Sequence, residues 1–152
     1  MRKAISSLPA DQITADLKAV ADYLTKLPAC NGKLAVAGFC WGGGQSFRFA
    51  TNEKDLKGAF VFYGTGPTDP PELARIECPV YGFYGGNDAR VSSTVSKSSE
   101  LMKQAGKTFE PVVYDNAGHG FMRGGEAPDA KAGDKQAREQ AWQRWKELLK
   151  KL

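Results

Sequence analysis

The sequence has few of the residues that build metal sites and disulfide frameworks. It contains three cysteines and one histidine, and no two cysteines follow a C-x-x-C spacing. An odd number of cysteines without metal-binding spacing argues against both a disulfide framework and a zinc site. We therefore expect a reducing, cytoplasmic location.

Long apolar runs and an excess of one charge are also missing. No segment approaches the roughly 20 apolar residues needed to cross a bilayer. The N-terminus, MRKAISSLPADQ, has no apolar stretch behind its two basic residues, so we expect no signal peptide. The chain has 21 Lys and Arg against 17 Asp and Glu, a net charge of +4. We expect neither a membrane nor a nucleic-acid partner, because acids and bases are mixed along the chain.

The composition is that of one ordinary globular domain covering residues 1–152, with 41% hydrophobic and 25% charged residues. Strands are predicted over residues 33–39, 58–64, 79–86 and 109–115. Helices are predicted over residues 11–27, 42–50 and 135–152, and from Ser92 or Ser93 to Gly106. Pro111 indicates that the last strand lies at a sheet edge. The alternation predicts an α/β fold, an open parallel sheet of about four strands flanked by helices.

The stretch KLAVAGFCWGGGQSFRFA, residues 33–50, sets a thiol between glycines. Gly38, Cys40 and Gly42 fill the pattern G-x-nucleophile-x-G, in which a sharp turn from strand to helix exposes a strained nucleophile between small neighbours. The helix dipole at this position favours the thiolate, and the backbone N–H of Trp41 is a candidate oxyanion donor. A buried structural cysteine among tightly packed glycines is the alternative, which the glycine spacing leaves open.

The other residues of a catalytic triad follow in the order nucleophile, acid, histidine. Asp88 lies in the loop after the third predicted strand, and His119, the single histidine, follows the fourth. Open α/β sheets build their sites at the carboxyl ends of parallel strands. Asp115 is a rival acid, but it is too close to His119 along the chain to approach the far side of the ring easily. Each residue alone fits an ordinary loop role; their order and placement together favour a triad.

At these positions the sequence resembles the dienelactone hydrolases (carboxymethylenebutenolidases), a cysteine-dependent branch of the α/β-hydrolase superfamily. GFCWGG resembles the family's elbow, and VFYG the Tyr-Gly that ends the next strand. GGNDARV resembles the acid loop, AGHGFMR the histidine loop and AWQRWKELL the last helix.

The resemblance implies a hydrolase of lactones or esters that forms an acyl-thioester and needs no metal or organic cofactor. Cys40 would be the nucleophile, Asp88 the acid and His119 the base. Arg123 matches the position where family members hold a substrate carboxylate, so the implied substrate is a small ester or lactone that carries one.

The resemblance covers the C-terminal portion of that fold. The family's N-terminal part, with the first strands, the second oxyanion donor, a further arginine and a glutamate that pairs with the thiol, has no matching positions here. The strand at residues 33–39 is apolar on both faces, and its neighbour on one side would be gone. Such an edge invites pairing. We therefore expect self-association through it, or pairing with an N-terminal segment.

Two other functions stay open at this point. The chain could be a catalytically inactive, truncated remnant that serves as a structural or interaction module. Alternatively, Cys40 could be a redox-active thiol, although the sequence offers no obvious resolving cysteine. Hydrolysis that depends on Cys40 would separate the hydrolase from the remnant, and mass spectrometry after mild peroxide would test the redox thiol.

Overall fold

The computed structural model describes residues 7–152; the first residues of the N-terminus, for which we expect no signal peptide, lie outside the described part. The chain divides into two compact units, Met1–Leu34 and Ala35–Leu152. The first contains helix α1 (Ala10–Thr25). The second contains the sheet from Ala35 onward and the remaining helices. The single domain over residues 1–152 stays a prediction. Among residues 7–152, no helix combines the length and apolar character of a membrane span.

Four parallel strands form one sheet in the order β1-β2-β3-β4, which confirms the predicted α/β fold. The strands are β1 (Leu34–Phe39), β2 (Leu56–Phe62), β3 (Val80–Gly85) and β4 (Phe109–Tyr114). The helices after α1 are α2 (Trp41–Ala50), α3 (Pro70–Leu73), α4 (Ala89–Ser92), α5 (Val95–Gln104), α6 (Phe121–Gly124) and α7 (Ala132–Leu149).

The helix predicted from Ser92 or Ser93 to Gly106 is α5, which begins at Val95, and the short helix α4 before it was not predicted. Hydroxyl groups compete for the carbonyls at the end of α4: Ser92 Oγ donates to the Asp88 carbonyl at 2.9 Å, and Thr94 Oγ1 donates to the Val91 carbonyl at 2.7 Å. Such bonds to the preceding turn weaken helix continuation. Gly106 follows α5 with a φ of +68°, as expected of a glycine that closes a helix.

The two central strands are buried and the two outer strands are not. Every residue of β3 is buried, and every residue of β2 except Lys57. β1 and β4 are partly exposed. Pro111 lies in β4, which comes last in the strand order, so its strand is at an edge, as predicted. β1 forms the other edge, with β2 as its only strand neighbour in the described part of the chain.

Aromatic rings build much of the core beside β1. The ring of Phe62 stacks on Phe83 with centroids 4.2 Å apart and on Phe39 with centroids 4.6 Å apart. Trp145 of α7 meets Phe62 edge-on at 4.9 Å. Stacked and edge-to-face pairs are favoured by the ring quadrupoles. This layer fixes the end of β1, where Cys40 follows.

Candidate active site

Cys40 occupies a strained turn between β1 and α2. Its backbone has φ 54° and ψ −122°, a conformation that costs a residue other than glycine about 1–3 kcal/mol. Two hydrogen bonds hold it there. The Cys40 N–H donates to the Phe62 carbonyl at 3.1 Å, and the Cys40 carbonyl accepts from the Gly43 N–H at 3.0 Å. The neighbouring strand and the start of α2 therefore together impose the turn that the sequence predicts.

Only one of the two glycines that flank Cys40 is sterically required. A Cβ at Gly38 would collide with the carbonyl oxygen of Gly42, whereas a Cβ at Gly42 would meet no atom within 4 Å. The expectation that both flanking positions must be small is therefore wrong for Gly42. At Gly43 a Cβ would lie 2.6 Å from the Phe62 carbonyl oxygen, so this glycine lets α2 pack closely on the sheet.

His119 lies between Asp88 and Cys40. Its Nδ1 is 2.5 Å from Asp88 Oδ2, and its Nε2 is 3.1 Å from Cys40 Sγ. Asp88, 7% exposed, follows β3, and His119 follows β4. A carboxylate at Nδ1 favours the tautomer with a proton there, which leaves Nε2 free to accept one from the thiol. Asp88 is thus the acid that contacts the His119 ring, whereas Asp115 is exposed and lines a different cavity.

Burial and two nearby charges act on the acidity of the Cys40 thiol. Partial burial raises the pKa of Cys40 above its ordinary value, the Arg90 guanidinium lowers it by less, and the Asp88 carboxylate adds a further rise. Burial penalises the charged form of an acid. Burial and the Asp88 carboxylate thus oppose the helix N-terminus, which favours the thiolate.

A cavity of about 720 Å³ opens beside Cys40. The buried side chains of Tyr63 and Met122 line it together with the more exposed Phe39 and Trp142. This volume lies within the range of roughly 300–1,000 Å³ that is typical of small-molecule sites. The arrangement offers a small molecule an apolar surface next to a thiol and an imidazole.

Two groups predicted to contact a substrate lie around the same sulfur. Arg123 lines the cavity, and no salt bridge joins its guanidinium to another of the residues 7–152. Trp41 is the first residue of α2, where backbone N–H groups have no acceptor within the helix. In the described part of the chain, no group of three or more His, Cys, Asp and Glu residues is arranged to hold a metal ion.

Two residues that support His119 were missed by sequence reasoning. Tyr63 follows β2 with a φ of +40°, and its ring meets that of His119 edge-on with centroids 5.2 Å apart. Asp134 Oδ1 accepts a hydrogen bond from the backbone N–H of Gly118 at 2.7 Å. The Tyr-Gly pair at the strand end is a signal only through the family resemblance. Asp134 has the pattern of an ordinary acid in the first turn of a helix.

A protein-family model, curated relatives and a solved structure all match this chain. The model of the "Dienelactone hydrolase family" matches residues 1–152. The "Putative carboxymethylenebutenolidase" of Salmonella typhimurium is 32% identical over 127 residues, and that of Methylorubrum extorquens is 32% identical over 130 residues. The crystal structure of the "Putative Dienelactone Hydrolase" of Klebsiella pneumoniae superposes with a TM-score of 0.79 at 30% identity.

These matches cover more of this chain than of its relatives. The Salmonella alignment spans 77% of this chain and 47% of the relative, and the Methylorubrum alignment spans 78% and 45%. The Klebsiella structure matches 93% of this chain and 61% of its own. The chain thus spans about half the length of the curated relatives it matches. The extent of the family match and the shared fold show that the chain belongs to the dienelactone hydrolase family, within the α/β-hydrolase superfamily.

Proposed function

We propose that this protein hydrolyses small carboxylic esters or lactones, with Cys40 as the nucleophile, His119 as the base and Asp88 as the residue that orients the base. The observation that carries the proposal is the continuous chain of contacts from Asp88 Oδ2 through the His119 ring to Cys40 Sγ, at 2.5 and 3.1 Å. A cavity large enough for a small ester adjoins this sulfur. Family membership supports the same reaction class.

The first half of the reaction forms an acyl-thioester. Because partial burial raises the pKa of Cys40, we assign His119 Nε2 to take the thiol proton as the sulfur attacks the carbonyl carbon. The carbonyl electron pair moves to the oxygen, which accepts a hydrogen bond from the Trp41 N–H. The tetrahedral intermediate then expels the alkoxide, which takes the proton from His119, and the acyl group stays on sulfur.

The second half regenerates the thiol. His119 Nε2 takes a proton from a water molecule as its oxygen attacks the thioester carbonyl. The new tetrahedral intermediate breaks its carbon–sulfur bond, releases the carboxylic acid, and the sulfur regains the proton from His119. Asp88 stabilises the imidazolium that forms in each half-reaction.

Arg123 adds a preference for substrates that carry a second, anionic group. Arg123 lines the cavity that Cys40 also lines, and its guanidinium has no carboxylate partner among residues 7–152, so a substrate carboxylate can pair with it. In Arg123→Gln we expect KM to rise for a carboxylate-bearing dienelactone and to stay near its wild-type value for neutral 4-nitrophenyl acetate.

The decisive experiment measures hydrolysis of 4-nitrophenyl acetate and of a dienelactone by the wild-type chain and by Cys40→Ala. We expect saturable turnover that disappears in Cys40→Ala, and an acetyl adduct on the Cys40 peptide by mass spectrometry. Cys30→Ser, which changes a thiol in the other compact unit, is the matched control and should keep full activity. Activity no higher than that of Cys40→Ala would reject the hydrolase and leave the structural or interaction module.

A further inference from the structure

We infer that the cavity beside Cys40 selects esters that carry an aromatic ring, which stacks against Phe39 and Trp142. The inference rests on the proposed function, because it names the substrate class of the same site.

Two large aromatic side chains lie partly open to this cavity. Phe39 is 41% exposed and Trp142 is 38% exposed, and both line the cavity together with Cys40 and His119. Leaving such rings in water forfeits part of the stabilisation that burying them would give. A ligand ring that covers them recovers that contribution next to the reacting sulfur.

The rings of Phe39 and Trp142 each stack on another aromatic ring of the protein. Phe39 stacks on Phe62 with centroids 4.6 Å apart, and Trp142 stacks on Trp145 with centroids 5.0 Å apart. Trp145 also meets Phe39 edge-on at 6.1 Å, which ties the two pairs together. A ligand therefore meets a preorganised aromatic surface, and little side-chain entropy is lost when it binds.

The charged side chains at the cavity leave this surface free for an apolar group. Arg138 Nη2 lies 3.3 Å from Glu126 Oε1, and Arg138 Nε donates to the Met122 carbonyl at 2.9 Å. Arg138 and Glu126 are thus engaged with each other and with the chain. Arg123, which has no salt bridge among residues 7–152, is left as the cation for an anionic group of the same substrate.

The aromatic character of the surface favours a flat ring over a saturated ring of similar size. Pairing of ring quadrupoles adds to the stabilisation from buried area. We therefore expect benzyl acetate to exceed cyclohexylmethyl acetate in kcat/KM by about three- to tenfold. The two esters share the acyl group and have primary alcohols as leaving groups, so the chemical step differs little between them.

Substitutions in α7 test whether Trp142 produces the preference for an aromatic ring. Trp142→Leu should lower the ratio of the two kcat/KM values to near one, because leucine keeps the helix and an apolar contact but removes the ring. Leu149→Ala is the control: Leu149 is 44% exposed on the same helix and lies outside the cavity lining, so the ratio should stay at its wild-type value. A preference that survives in Trp142→Leu would overturn the assignment of this surface.

Binding of two carboxylates that are not hydrolysed tests this inference separately from the proposed function. Phenylacetate and cyclohexylacetate, titrated by NMR into the wild type and Trp142→Leu, report on the cavity without turnover. Hydrolysis that depends on Cys40 but shows no aromatic preference overturns the inference and leaves the proposed function standing. If no ester is hydrolysed, the proposed function fails. Tighter binding of phenylacetate, lost in Trp142→Leu, would then support the aromatic site, and equal binding of both acids would overturn it.

Discussion

Asp134 Oδ1 accepts a 2.7 Å hydrogen bond from the backbone N–H of Gly118, the residue before His119. Asp134 lies in the first turn of α7. A Cβ at Gly124 would lie 3.3 Å from Asp134 Oδ2, so the carboxylate reaches both ends of the segment that carries His119. Through this contact α7 helps to keep the imidazole at hydrogen-bond distance from Cys40.

Asp134→Ala should lower kcat for 4-nitrophenyl acetate by about 10- to 100-fold, since displacing a catalytic group by about 1 Å has an effect of this size. KM should change little, because Asp134 lies outside the cavity lining. Asp134→Asn keeps an oxygen acceptor for the Gly118 N–H and should retain most of the activity.

Asp129→Ala serves as the control for that substitution. Asp129 is an exposed acid shortly before α7, so its removal changes the charge equally without touching the His119 segment. If Asp134→Ala and Asp129→Ala have equal kcat, Asp134 has no role in positioning His119. Thermal melting of all three variants above the assay temperature shows that a loss of activity is not a loss of folding.

The pH dependence of Cys40 alkylation should report its raised pKa. Iodoacetamide reacts with the thiolate, so the rate rises with pH and levels off above the pKa. Because burial raises the pKa of Cys40, the midpoint should lie above that of free cysteine, about 8.5. Quantifying the alkylated Cys40 peptide by mass spectrometry excludes signal from the other two thiols.

Arg90 offers a matched pair for the same measurement. Its positive charge lowers the pKa of Cys40, so Arg90→Gln should move the midpoint to higher pH, whereas Arg90→Lys should leave it close to the wild-type value. A midpoint below that of free cysteine in the wild type would show that the dipole of α2 outweighs burial.

Alanine substitutions at the two flanking glycines should have opposite effects on stability. A Cβ at Gly38 collides with the Gly42 carbonyl, so Gly38→Ala should lower the free energy of unfolding by roughly 1–3 kcal/mol. Gly42 lies within α2 and has open space around its Cα, so Gly42→Ala should raise it by up to about 1 kcal/mol. Urea denaturation measures both, and equal destabilisation by the two substitutions would contradict the steric argument.

Self-association through the β1 edge is a further prediction. β1 has β2 as its only strand neighbour in the described part of the chain, and Ala37 on it is exposed. Sedimentation at tens of micromolar should show species larger than the 16.5 kDa chain. Ala37→Lys should restore the monomer, because a charge on an edge strand opposes pairing. Ala74→Lys, at an exposed position away from the sheet, should behave as the wild type does. A natively folded wild-type monomer would count against the prediction.

The parts of the fold that depend on local pattern could be predicted from the sequence. Apolar runs at strand spacing placed all four strands, and Pro111 placed β4 at an edge. The glycines around Cys40 predicted the turn, and chain order selected Asp88 and His119, which the structure brings together. These features are set by a few adjacent residues, so one sequence is enough to find them.

What the sequence could not supply depends on contacts between distant segments. Partial burial of Cys40, which raises its pKa, arises only in the folded chain. A small residue was expected at position 42. In the structure only Gly38 must be small, because a Cβ there would collide with the carbonyl of Gly42. Asp134 reaches Gly118 only after α7 has packed beside the His119 segment. None of these contacts has a sequence signal.

The strained backbone conformation of Cys40 also lowers the stability of the folded chain. Glycine would adopt φ 54° there with far less strain, so selection for folding free energy alone would favour glycine at this position. If Cys40 is the proposed nucleophile, the less stable turn accompanies a reactive sulfur, the trade-off often found in enzymes that need a strained residue. In a relative of this chain that no longer needed the thiol for a reaction, we would expect the cysteine to be replaced early and the folded state to become more stable.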